Sequence, residues 1–185
     1  PSLVPFVLIR AIKNAGLKPP GNRHLQQMKD HMISAEKSKN PIVKWADCEV
    51  RRYRDKLYFL RNEEKEIPTN PIPLQRHETV VLPHGTFRLS KGVRGSAGIN
   101  PEIFETANAT IRFRKGGEIC RPAGRGCARQ LKKLFQEWGV PPWERSLTPI
   151  LYADDDIVAV GDYCLCEGYL ASQNQIPLNL SWSRE

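Results

Sequence analysis

An α+β protein of two domains is the fold class this sequence predicts, and three observations carry the prediction. Apolar residues recur at helical spacing as far as about residue 35, then at a period of two between Cys48 and Arg61. The stretch NEEKEIPTNPIP, residues 62–73, is charged and then proline-rich, as domain boundaries are. Beyond it lie short β-like runs broken by one basic amphipathic helix. The expected organisation is a small helical domain closed by a β-hairpin, residues 1–66, and a mixed β-rich domain, residues 67–185.

From Pro5 to Ala15, Phe6, Leu8, Ile9 and Ile12 recur with helical spacing, and Gly16 stops the helix ahead of Pro19 and Pro20. A second helix is expected to open with Asn22 as its cap. It carries Leu25, Met28, Met32 and Ala35 on one stripe and Arg23, Lys29, Lys37 and Lys39 on the polar face. CEVRRY and KLYFLR flank a turn at Arg54 and Asp55, a hairpin pattern.

In the second domain ETVVL, TFRLS, ATIRFRK, PILYA, DIVAV and DYCLC read as strands, with a turn at His84 and Gly85. The predicted helix runs from about Cys127 to Trp138. Leu131, Leu134, Phe135 and Trp138 sit at i, i+3, i+4 and i+7, and Gly139 ends it in a left-handed turn. Pro141, Pro142 and Trp143 read as a rigid corner lidded by the indole. ADDD, residues 153–156, is expected to be a hairpin turn rather than a magnesium site.

With 185 residues, 40% hydrophobic and 26% charged, the chain has the composition of a soluble globular protein. The apolar run from Leu3 to Ile9 is too short to cross a bilayer, so no membrane association and a cytoplasmic location are expected. The first residue is Pro1, Val4 to Ile12 already reads as helix, and Met28 and Met32 are internal, so the chain is expected to be a fragment. Five scattered cysteines, Cys48, Cys120, Cys127, Cys164 and Cys166, include no CxxC pair and no matching histidine. Reduced thiols and no metal are expected, although Cys164 and Cys166, two apart, share a strand face. No nucleotide-binding loop, nucleophile elbow or zinc-protease signature occurs, and no catalytic residue is expected.

The net charge of +8 is concentrated. Arg112, Arg114, Lys115, Arg121, Arg125, Arg129, Lys132 and Lys133 face one acid, Glu118, within residues 112–133. Gly124 and Gly126 read as a loop that lets a phosphate approach the helix N-terminus, RFRKGGE as an edge-like strand adding cations, and the apolar stripe as an anchor. In the first domain Arg51 and Tyr53 alternate with Val50 and Arg52, an interleaving of aromatic and basic residues suited to RNA contact or equally to covering a helix pair. Arg145 either extends the basic surface or pairs with acids nearby. These twelve residues, Arg51, Arg52, Tyr53, Arg145 and the eight cations of the window, are the expected RNA-binding set. A protein-interaction or dimerisation module with a basic surface is the alternative; a small metal or redox protein would rest on the cysteines alone.

GGEICRPAGRG, RQLKKLFQEWGVPPWERSLTPILY and DDIVAVGDY, in that order, resemble the C-terminal domain of the tRNA(Ile)-lysidine synthetase family, and CEVRRYRDKLYFL resembles the end of its substrate-binding helical domain. The resemblance covers most of residues 5–62 and 108–163. It implies a sandwich-like layered fold, related to a domain of the phenylalanyl-tRNA synthetase β subunit. It also implies a parent ligase that adenylates the wobble cytidine of CAU-anticodon tRNA(Ile) and attaches lysine. ATP and Mg²⁺ would belong to an N-terminal domain with an SGGxDS loop, which this sequence lacks. This part would then bind the tRNA body with no cofactor of its own and be inactive alone, and a homodimer of the parent stays open. Arg121, Arg125, Arg129, Lys132 and Lys133 are the cations that carry over.

Overall fold

Pro5 stands in the first turn of α1 (Val4–Asn14), where a missing N–H costs nothing. Gly16, at φ +69°, ends the helix as Leu17 N–H returns to the Ile12 carbonyl at 3.1 Å. The computed structural model describes residues 3–33, 41–63 and 66–184, and contacts divide the chain into Pro1–Glu64 and Lys65–Glu185.

In the first unit, α2 (Asn22–Gln27) continues into a wider π-type winding over Met28–Ile33. Gly21, not Asn22, holds the cap position, and no side chain bonds there. Leu8 and Ile12 of α1 and Leu25, Met28 and Met32 of the second helical segment bury one stripe each in a core with Val43, Trp45, Cys48 and Val50. Phe6, by contrast, is exposed despite its helical spacing. Ala35, Lys37 and Lys39 lie outside the described residues.

The expected hairpin is part of a three-stranded antiparallel sheet, β1 (Ile42–Trp45), β2 (Cys48–Tyr53) and β3 (Lys56–Arg61). The turn between β2 and β3 falls at Arg54 and Asp55, with Arg54 left-handed at φ +55°. Trp45 Nε1–H donates to the Lys18 carbonyl at 2.8 Å, tying the sheet to the connection between the helices.

The second unit begins with β4 (Ile72–Pro73), β5 (Thr79–Leu82), β6 (Gly85–Lys91) and a single helical turn, α3 (Ile103–Thr106). Then come β7 (Ala109–Arg112), β8 (Ile119–Cys120), β9 (Arg129–Gln130), α4 (Leu131–Glu137) and α5 (Pro142–Arg145). It closes with β10 (Ile150–Ala153), β11 (Asp156–Val160), β12 (Cys164–Leu165) and β13 (Leu178–Arg184). One sheet runs β12-β11-β10-β7-β4, a second β13-β6-β5, and β8 pairs with β9 alone. The arrangement is mixed α+β with antiparallel sheets.

Strand alternation builds the layers. Leu151 and Ala153 of β10, Val158 and Ala159 of β11 and Ile111 of β7 pack with Phe87, Leu89, Leu178 and Trp182 of the three-stranded sheet. Ile150 and Val160, with Tyr152 and Ile157 at the rim, face the other way onto Leu131, Leu134 and Phe135 of α4. A Cβ at Gly85, φ +146°, would fall 2.0 Å from the Ser183 carbonyl oxygen, so only glycine lets β13 come this close.

Two expectations fail here. The helix starts at Leu131 rather than near Cys127, because Cys120 pairs with Arg129 and Ile119 with Gln130 in a β-ladder that holds Gln130 extended at ψ 130°. Nor is β7 an edge strand, since β10 and β4 flank it. The far end of α4 is as expected: Gly139 is left-handed at φ +74°, and Val140 N–H reaches the Phe135 carbonyl at 2.9 Å.

Phe135 is fully buried, edge-on to both Trp138 and Tyr163. Phe135→Ala is expected to cost about 3–4 kcal/mol, read as a lower urea midpoint with an unchanged slope.

Candidate nucleic-acid interface

Lys132 and Lys133 follow Leu131 and precede Leu134 and Phe135, so burial of those three fully covered side chains directs both lysines to solvent. With Lys115, at the tip of the turn between β7 and β8, they are exposed and have no carboxylate partner among the described residues. Three cations are thereby fixed at their backbones and unspent.

The arginines of the same window are engaged. Arg129 Nη1 donates to Glu137 Oε1 at 2.9 Å, and Arg125 pairs with the other carboxylate oxygen of the same residue. Arg121 pairs with Glu167 at 3.3 Å. Arg112 donates to Asp155 Oδ1 at 3.2 Å and to the Asp154 carbonyl, and lies over the Tyr152 ring at 4.5 Å. The expected ADDD turn is present between β10 and β11, and it holds Arg112 through the Asp155 carboxylate and the Asp154 carbonyl. Arg114 pairs with Glu118 at 3.3 Å, both side chains largely covered. Arg145 Nε–H donates to the Val140 carbonyl at 2.9 Å, bracing the corner after α4 rather than extending a basic surface.

The local charge of the window is therefore lowered by Glu137, Asp155 and Glu167, which lie outside it in sequence. The pairs Arg125–Glu137 and Arg121–Glu167 are exposed, so solvent screens them and they hold their guanidiniums only weakly. Hydrogen bonding from Arg125 holds the Glu137 carboxyl below its usual 4.5.

The helix-terminus reading does not survive. Leu131 N–H is taken by the Glu118 carbonyl at 2.8 Å, and α4 is only seven residues long. Gly124 and Gly126, at φ +77° and +65°, shape the basic loop and do not open onto the helix. What shapes the lysine-bearing turn is Glu118, whose carboxylate accepts Lys115 N–H at 2.5 Å and Gly116 N–H at 2.6 Å. Partial burial pulls this carboxyl upward, but those backbone donors and Arg114 outweigh it and hold it below 4.5.

In the first unit, Arg51 Nε–H donates at 2.7 Å to Glu49, a buried carboxylate that also has Lys44 at 3.7 Å. Arg52 donates to the Met32 carbonyl at 2.8 Å, and Tyr53 lies under the Arg54 guanidinium at 5.5 Å. Arg51 thus braces the sheet through Glu49, and Arg52 ties the sheet to the π-type winding.

Two groupings escaped the sequence. Trp138 stacks on Tyr163 with centroids 5.5 Å apart, and Arg184 covers the Tyr163 ring at 5.0 Å. Cys120 joins Cys164 and Cys166, with all three sulfurs within 4.8 Å of one another. Both depend on residues far apart in the chain, and no local spacing announces them.

Residues 7–58 match the family described as TilS substrate binding domain, and residues 109–182 the family described as TilS substrate C-terminal domain. The chain is 35% identical over 165 residues to the tRNA(Ile)-lysidine synthase of Coxiella burnetii, covering 89% of this chain and 36% of that protein. It is 29% identical over 179 residues to the tRNA(Ile)-lysidine synthase of Methylococcus capsulatus, covering 96% of this chain and 40% of that one. The chain therefore spans no more than two fifths of these relatives' length. A crystal structure of a TILS C-terminal domain matches with a TM-score of 0.50 at 19% identity, over 62% of this chain and 96% of the other, a likeness of fold.

Because the folded Glu118 carboxyl sits below its ordinary 4.5, its stabilising effect is fully present above that pH and fades as pH falls through the lower folded value. Glu118→Gln is expected to cost about 1–2 kcal/mol at neutral pH. The gap from wild type in urea unfolding closes as the pH is taken below 4.5.

Proposed function

Because the chain carries a TilS substrate binding domain followed by a TilS substrate C-terminal domain, we propose that it is the tRNA-binding part of a tRNA(Ile)-lysidine synthase. The parent enzyme would use ATP and Mg²⁺ in a separate catalytic domain to attach lysine to the wobble cytidine of CAU-anticodon tRNA(Ile). The 185 residues contain no SGGxDS loop, so on this reading they carry none of that chemistry and act by holding the tRNA body, chiefly the acceptor stem.

The observation that carries the reading is the placement of Lys115, Lys132 and Lys133, exposed and, among the described residues, without carboxylate partners on a buried-anchored scaffold. A duplex stem is recognised through its phosphates and 2′-hydroxyls, and such recognition rewards fixed cations more than base-reading side chains. Arg121, Arg125 and Arg129 would join by exchanging Glu167 and Glu137 for phosphate oxygens. Arg112, Arg114 and Arg145 support the surface, each already held by an acid or a carbonyl.

With five to six phosphate contacts, log affinity for a tRNA(Ile) transcript should fall with log salt at a slope of about −4 to −6. Changing Lys132 and Lys133 together to glutamate is expected to reduce the slope's magnitude by about 2 and to weaken binding at least about tenfold at low salt. Filter binding across a salt series reads both. No affinity at low salt, or one indifferent to salt, overturns the reading.

A further inference from the structure

Three of the five cysteines converge on one point. Cys120 lies on β8, Cys164 on β12, and Cys166 two residues on. Their sulfurs stand within 4.8 Å of one another, while Cys48 and Cys127 take no part. We propose that Cys120, Cys164 and Cys166 form a three-thiolate binding site for a d¹⁰ thiophilic cation, zinc foremost.

Backbone pairing sets the donor geometry before any ion arrives. Ala123 N–H donates to the Leu165 carbonyl at 2.9 Å and Glu167 N–H to the Arg121 carbonyl at 2.8 Å, with Pro122 bridged to Cys166. The chain around Cys120 is thus zipped to the chain around Cys164 and Cys166. Cys166 N–H is itself anchored to the Val158 carbonyl at 2.8 Å. A zinc–sulfur bond of about 2.3 Å puts tetrahedral sulfurs about 3.8 Å apart, so coordination closes each pair by no more than about 1 Å.

The surroundings suit a soft cation. Cys120 and Cys166 are buried in the cluster that holds Leu131, Val140, Ile150 and Val160, where thiolates lacking a counter-charge would be costly. Cys164 is half-buried and lines a cleft of about 230 Å³ together with Asp162 and Asn179, which gives an ion a way in. Among the described residues no further cysteine, histidine or carboxylate joins the three sulfurs. The fourth position of a tetrahedral ion would then hold water or a small ligand from the cleft. Cys120 stands at the foot of the loop bearing Arg121 and Arg125, so the ion would staple that loop to the five-stranded sheet.

Thiol protons leave as the ion binds, and the site is therefore expected to release protons on loading. The test uses the full 185-residue chain, reduced, stripped of metal and kept free of oxygen, titrated with Co²⁺. Cobalt–thiolate charge-transfer absorption should saturate at one equivalent and vanish on adding one equivalent of Zn²⁺. Cys120→Ser, Cys164→Ser and Cys166→Ser should each weaken cobalt binding at least tenfold, while Cys127→Ser and Cys48→Ser leave it unchanged. Cys164→Ser, at the partly exposed position, disturbs the fold least, and circular dichroism verifies that it is folded. Failure of the wild-type chain to develop the absorption overturns the proposal, as does its persistence in folded Cys164→Ser or its loss in Cys127→Ser.

Discussion

The five-stranded sheet is apolar on both faces, and most of the second unit follows from that constraint. Leu151 and Ala153 belong to the core shared with the three-stranded sheet, while Ile150 belongs to the core beneath α4. A bulge between Leu151 and Tyr152 in the pairing with β11 keeps this alternation in step. With hydrophobic surface on two sides, the sheet must be covered twice, and α4 is the cover that carries the lysines.

The cations then divide by chemistry. Each arginine of the window has found an acid, and the planar guanidinium fork suits such pairing. The lysines stay solvated. On the proposed reading this division is useful: the acids would hold the arginines in ordered positions between encounters, and weak exposed pairs would yield to phosphate without much loss. Glu137, at the end of α4 where a helix disfavours negative charge, is offset by two guanidiniums at once.

The turn after β7 and the loop after β8 begin from one short segment, residues 115–121. Glu118 organises the first through its carboxylate and caps α4 through its carbonyl, and Cys120 lies two residues on within the thiol cluster. The electrostatic surface and the sulfur cluster are thus neighbours along the chain, although one is solvated and the other buried.

Sequence alone determined the features whose cause is local. α1 with its Gly16 stop, the turns at Arg54–Asp55 and Asp154–Asp155, the apolar face of α4 and its Gly139 end all follow from periodicity and turn chemistry within a few residues. Likeness to a family was legible in the same local strings. Tertiary structure decided what depends on partners far along the chain. Arg129 became a strand residue because Cys120 lay opposite it, Arg112 was neutralised by Asp155, and Cys120 met Cys164 and Cys166 across more than forty residues. The physical reason is that hydrophobic period is written by each segment for itself, whereas a charge or a sulfur acquires its role only from the atom that folding sets beside it.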